Sequence, residues 1–223
     1  MATLDRDAEV FVLNLGDDEN RFHPSWLDEV AGHLNTVAGT EGPCALVTTA
    51  SGKFFSNGLD LDWLRDNSSE FVTYVIQVHR LFERVLALPV PTVAAVQGHA
   101  FAGGAMLALA HDFRVMRADR GFLCLPEVDI NIPFSRGMSA LIQSKLTPKT
   151  AHEAMTTGRR YGGTDALGAG IVDAVAHEDD VVSSAIEIAR PLAAKAGATL
   201  GTIKARMYPA ALDALRDTQT PLD

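Results

Sequence analysis

An α/β domain is the fold class this sequence predicts, on three observations. Short runs rich in β-branched and small apolar residues (EVFVLNLG at 9–16, CALVTTA at 44–50, PTVAAVQ at 91–97) alternate with stretches of helical period. A strand, a tight glycine-containing turn and a helix occur at 44–64 and again at 92–110. The 223 residues, 47% hydrophobic and 21% charged, supply one medium-sized core.

EVFVLNLG alternates apolar and polar residues, as a half-buried strand does. Asp17-Asp18 turns the chain, and Pro24 opens the helix SWLDEVAGHLNTV as its first-turn residue. CALVTTA is the second strand, closed by Ser51-Gly52. KFFSNGLDLDWL turns at Asn57-Gly58 into a short helical piece. Ser68 or Ser69 caps a helix to about Leu88, with Phe71, Val75, Val78 and Phe82 on one face, and Pro89 and Pro91 stop it. After the strand PTVAAVQ, the segment GHAFAGGAM is expected to open an apolar helix. FRVMRA (113–118) and part of GFLCLPEVDI are strands, the latter breaking at Pro126. FSRGMSALIQSKL and PKTAHEAMTTG are helices meeting at Pro148. Thr164 caps a turn that feeds a last strand, IVDAV, and two helices, roughly 178–195 and 201–216, follow.

The formal net charge of −9 disfavours nucleic acid and anionic membranes as partners. Cys44 and Cys124 lie in apolar runs, without zinc or CxxC spacing, and read as buried reduced thiols. The acidic start MATLDRDAEV resembles no leader and no apolar run is long enough to span a bilayer, so a cytoplasmic protein is expected. Neither turn carries GxGxxG or GK[ST], which argues against a dinucleotide fold or a P-loop.

The two turns have a chemistry of their own. Amides at a helix start lack intrahelical acceptors and sit at the positive end of the helix dipole. Two such amides aimed at one point hold an oxygen whose negative charge develops during reaction. Glycine lets a substrate carbonyl approach the main chain closely, although Gly103 and Gly104 could equally serve close packing of two elements.

Four segments in order, SGKFFSNGLDL (51–61), VQGHAFAGGAMLALAHDFRV (96–115), GFLCLPEVDINIPF (121–134) and TDALGAGIVDAV (164–175), resemble the crotonase, or enoyl-CoA hydratase/isomerase, family over about residues 9–175. KFFSNG followed by LD, HDF, GFL and the E-x-D-I run is similar to plant-type Δ3,Δ2-enoyl-CoA isomerases. The resemblance implies a spiral of ββα units over residues 1–175, carrying the acyl-CoA site. A helical region at 176–223 would support a homotrimer or dimer of trimers and cover the active site. It implies an oxyanion hole from the N–H groups of Leu59 and Gly103, and a catalytic acid/base at Glu127 of the Pro126-Glu127 pair. Lys53, Ser56, Asn57, Gly58, Asp60, Met106 and Phe134 are the implied substrate-binding positions, Lys53 toward the CoA phosphates and Met106 and Phe134 as apolar walls. Hydratases of the family carry a glutamate where Met106 stands, and methionine neither takes nor gives a proton. The implied activity is therefore transfer of a double bond from C3 to C2 of an enoyl-CoA in unsaturated fatty acid breakdown, with no cofactor beyond the CoA of the substrate. Hydration, decarboxylation, thioester hydrolysis and non-catalytic CoA binding are the alternatives.

Other polar residues read more plainly. His99 and His111 lack the clustered partners of a metal site, and no metal is expected. His99 reads as a core histidine that could also line the pocket. Ser56 has no GxSxG elbow around it. Asp60 and Asp62 suit the first turn of a helix, and Asp129 reads as structural.

Overall fold

The computed structural model describes residues 1–222. Two sheets organise the chain. The larger has six strands in the order β1 (Thr3–Asp7), β2 (Val10–Asn14), β3 (Ala45–Thr49), β5 (Thr92–Val96), β7 (Phe113–Arg117) and β9 (Ala174–Ala176). The smaller has three parallel strands, β4 (Phe54–Ser56), β6 (His99–Phe101) and β8 (Leu123–Cys124), in that order. From β2 onward each pairing of the large sheet is parallel, and β3 and β5 are buried throughout, as strands covered on both faces must be.

Each ββα unit runs along a strand of the large sheet, crosses to one of the small sheet, and returns through a helix. The first helix is α1 (Pro24–Ala38), with Pro24 in the opening turn as the sequence predicts. The unit β3–β4 is followed by α2 (Leu61–Asp66) and α3 (Phe71–Leu86), and β5–β6 by α4 (Gly103–Ala110). α5 (Arg136–Lys145) and α6 (Pro148–Thr157) are capped by the side chains of Ser135 and Thr147. α7 (Gly163–Gly168) leads to β9, and α8 (Val181–Ala189), α9 (Ala198–Met207) and α10 (Pro209–Arg216) complete the chain.

Alternation along the strands feeds two cores. Val10, Val47, Val93, Ala95 and Val115 face Val181, Ala185 and Ala189 of α8 on one side. Phe11, Leu46, Ala94 and Met116 face the small sheet and the remaining helices on the other. Both cysteines are buried and free. No helix among the described residues is long and apolar enough to cross a membrane.

Four expectations need correction. GHAF does not open the helix: residues 99–101 form β6, and α4 starts only at Gly103. β1 pairs antiparallel with β2 although TLDRD has no apolar pattern, because an edge strand with one solvated face needs none. Gly162, not Thr164, occupies the cap position of α7, whose helical turn begins one residue before the threonine. The helix foreseen over 201–216 is two, because Pro209 cannot continue α9 and instead opens α10.

Candidate active site

The loop between β4 and α2 is pinned almost atom by atom. Ser56 donates its hydroxyl to the Asn20 carbonyl (2.7 Å) and accepts from the Gly58 amide (3.1 Å). The Asn57 amide donates to the Glu19 carbonyl (2.9 Å), and the Gly58 carbonyl accepts from the Phe22 amide (2.8 Å). The Asp60 amide donates to the Tyr74 hydroxyl of α3 (2.8 Å) and the Leu61 amide to the Leu59 carbonyl (3.1 Å). Along 57–61 one amide is left without an acceptor among the described residues, and it is that of Leu59.

The second loop ends in α4. Its cap, Ala102, sits at φ 50°, ψ −120°, a conformation normally left to glycine. The strain is of order 1–3 kcal/mol, and it turns the following peptide out of the β6 direction. Gly103 is the first residue of the helix, so its amide has no intrahelical acceptor. The two loops touch through their glycines. A Cβ on Gly58, which has φ +77°, would stand 2.6 Å from the Gly103 nitrogen, and one on Gly104 would run into the Ser56 carbonyl. The Leu59 and Gly103 amides therefore belong to main-chain segments in van der Waals contact.

A cavity of about 380 Å³ opens beside them, lined by Leu59, Phe101, Ala102, Met106, Glu127 and Met138 among others. Glu127 follows Pro126 in a tight turn in which the Pro126 carbonyl accepts from the Asp129 and Ile130 amides and the Glu127 carbonyl from Ile132. Its side chain is 6% exposed and Oε2 has no partner among the described residues. Burial, only partly offset by a backbone hydrogen bond, pushes the carboxyl up to about 7. Met106, 1% exposed, presents an apolar wall. The cavity thus combines two converging amide-bearing segments, one carboxyl that holds its proton near neutrality, and thioether and hydrocarbon elsewhere.

Of the positions expected around the substrate, Leu59, Asn57, Met106 and Glu127 line this cavity. Gly58 and Gly103 shape it from behind. Ser56 is fully buried and bonded to the main chain, and Asp60 caps α2 by accepting from the Trp63 amide. Lys53 lies over the Phe54 ring, and Phe134 lines a neighbouring groove. His99 packs among the rings of Phe54, Phe101 and Phe122, while His111 is wholly buried between the Leu107 carbonyl and the Thr48 hydroxyl. Asp129 lies against Gly158 at the end of α6. No group of three or more His, Cys, Asp or Glu side chains suited to a metal occurs among the described residues.

Sequence reasoning missed Arg21, which stands at the cavity mouth in an ion pair with Asp62 (2.6 Å) and a second with Glu19. One arginine in the acidic run DDENR gives no local signal of such a place. It missed Met138 and Phe101 as lining residues too, since only the tertiary fold brings them there.

Residues 5–220 match the family model described as enoyl-CoA hydratase/isomerase. The chain belongs to the enoyl-CoA hydratase/isomerase family. Among relatives, the enoyl-CoA delta isomerase 3 of Arabidopsis thaliana is 40% identical over 221 residues, 94% of this chain and 92% of that protein. Among solved structures, human mitochondrial delta3-delta2-enoyl-CoA isomerase superposes with a TM-score of 0.87 at 26% identity, covering 96% of this chain and 85% of that one. A probable enoyl-CoA hydratase from Mycobacterium tuberculosis H37Rv gives a TM-score of 0.89 at 28% identity, covering 96% and 91%. The crotonase fold foreseen from the four motifs is the fold found.

Proposed function

We propose that this member of the family is an enoyl-CoA isomerase that moves a double bond from C3 to C2 of an acyl-CoA thioester. One observation carries the reading: a single buried carboxyl, Glu127, shares the cavity with Met106 at the position where a second acid would be needed to add water.

A 3-enoyl thioester is acidic at C2 because the resulting dienolate spreads its charge over the carbonyl oxygen, C2 and C4. The Leu59 and Gly103 amides hold that oxygen, where preorganised donors act without a reorganisation cost. Glu127, ionised, takes the C2 proton and returns it to C4, giving the conjugated 2-enoyl thioester. A carboxyl near 7 suits both halves of this shuttle, since it accepts a carbon-bound proton and still gives it up. The apolar walls keep water from C3 of the product. Coenzyme A is part of the substrate, and the chemistry asks for no metal or further cofactor.

Two names among the compared proteins, hydratase and isomerase, mark the alternative outcome. The test is ultraviolet absorbance of the conjugated thioester formed from 3-hexenoyl-CoA. The wild-type protein is expected to produce it, and Glu127→Gln to lose about 10²–10⁴-fold in kcat, the usual weight of a general acid–base group. Water addition to 2-hexenoyl-CoA with no conjugation of the 3-isomer would make the protein a hydratase instead. We also propose a homotrimer or dimer of trimers, working in the cytoplasm in unsaturated fatty acid breakdown, with neither nucleic acid nor membrane as partner. Sedimentation and cell fractionation check the assembly and the compartment.

A further inference from the structure

A second cavity, of about 460 Å³, lies directly behind the first. The two share Glu127, Ile132 and Pro133, so the segment between Glu127 and Phe134 is a thin partition between them. On its far side the groove is lined by Val128, Phe134 and Met155, the last from α6. The partition is unusually oily on its outside. Val128, Ile130 and Ile132 are 47%, 45% and 37% exposed, three branched apolar side chains within five residues. Clustered exposed hydrocarbon of this kind marks a surface that something covers. Asn131, at φ 56°, bends the segment so that it turns back along the groove.

We propose that the substrate's acyl tail leaves the reaction cavity past Ile132 and Pro133 and lies in the groove of Val128, Phe134 and Met155, making the protein selective for long-chain thioesters. The inference rests on the isomerase reading above and adds its substrate class. The occupant follows from continuity. The carbons that face Glu127 are C2 to C4, and a linear tail continuing from C4 reaches the two side chains that both cavities share. A groove floored with valine, phenylalanine and methionine, without a charged side chain among them, offers that tail burial and no specific hydrogen bond. Each methylene buried there strengthens binding about fourfold. Phe134, expected as a wall of the reaction cavity, acts in this arrangement as a wall for the tail.

The experiment compares kcat/KM for 3-hexenoyl-CoA and 3-dodecenoyl-CoA in the wild-type protein, Val128→Glu and Met155→Glu. Val128 is a surface residue, so its variant folds even if the Met155 change does not. The wild type is expected to favour the twelve-carbon substrate. Val128→Glu is expected to lower the twelve-to-six ratio at least tenfold, leaving the six-carbon value within twofold. Equal losses on both substrates, or no loss on either, would overturn the tail groove while the isomerase reading stood. So would a change in sedimentation mass with an unaltered length profile, which would give the patch to a second copy of the chain. If the wild type conjugates neither substrate, the isomerase reading itself falls, and the tail groove with it.

Discussion

Glu127 is a carboxyl asked to spend part of each cycle charged in a place that disfavours charge. Its activity as a base requires ionisation, so kcat/KM for conjugation is expected to fall as pH drops through about 7 and level off above it. Stability runs the other way. Below the unfolded-chain value near 4.3, both folded and unfolded chains hold the proton. As pH rises from there to about 7 the unfolded chain ionises first, and folding loses on the order of 3 kcal/mol by the top of that window. Glu127→Gln cannot ionise, so it should melt above the wild type at pH 8 and alongside it near pH 4, by calorimetry at both. A variant that is less active and more stable would show that the site's reactivity is paid in folding energy. This residue was legible in the sequence because Pro-Glu stands in a four-motif context. Arg21 was not, because its place at the cavity mouth depends on a partner, Asp62, 41 residues away.

At the scale of elements, the juncture of β4 and α4 decides the site. Gly104 lies so close to the Ser56 carbonyl that no side chain fits between them. Gly104→Ala is expected to cost about 1–3 kcal/mol, the range for overpacking a tight contact, and to lower turnover at least tenfold by prising the Gly103 amide from the Leu59 loop. Urea unfolding and initial rates measured on one preparation separate the two effects. The glycines themselves were legible as a place where side chains had been removed. The strands flanking them were not. β4 and β6 are three residues each, too short to show a period of two, and β6 was absorbed into the helix that follows it. The long, fully apolar strands β3 and β5 had no such ambiguity, since continuous burial on both faces writes itself into composition.

Across the whole molecule, the last helices are fastened to the sheet by buried charge. Lys204 of α9 donates to the Val90 carbonyl (2.8 Å) and to Asp112 (2.6 Å), which also accepts from the Thr92 amide. Arg114, likewise buried, donates to Asp173 and to the carbonyls of Ile171 and His111. Lys204→Ala leaves a largely buried Asp112 without its cation, and is expected to cost about 3–5 kcal/mol in denaturant unfolding. The C-terminal helices were readable from amphipathic period, but their attachment was not, because a lysine in a helical pattern reads by default as solvated. Nor did the sequence reveal that α8 closes the outer face of the large sheet, a pairing set by which side of each strand carries valine.

The Leu59 and Gly103 amides have a consequence for descent. Genetic change replaces side chains and leaves peptide groups in place, so no single codon can delete these donors without disturbing the loops that present them. What can drift freely is the furniture around them: an acid gained or lost at 106, a wall widened at 138. Lineages built on this frame should therefore diverge in the bond they rearrange long before they diverge in the oxygen they grip.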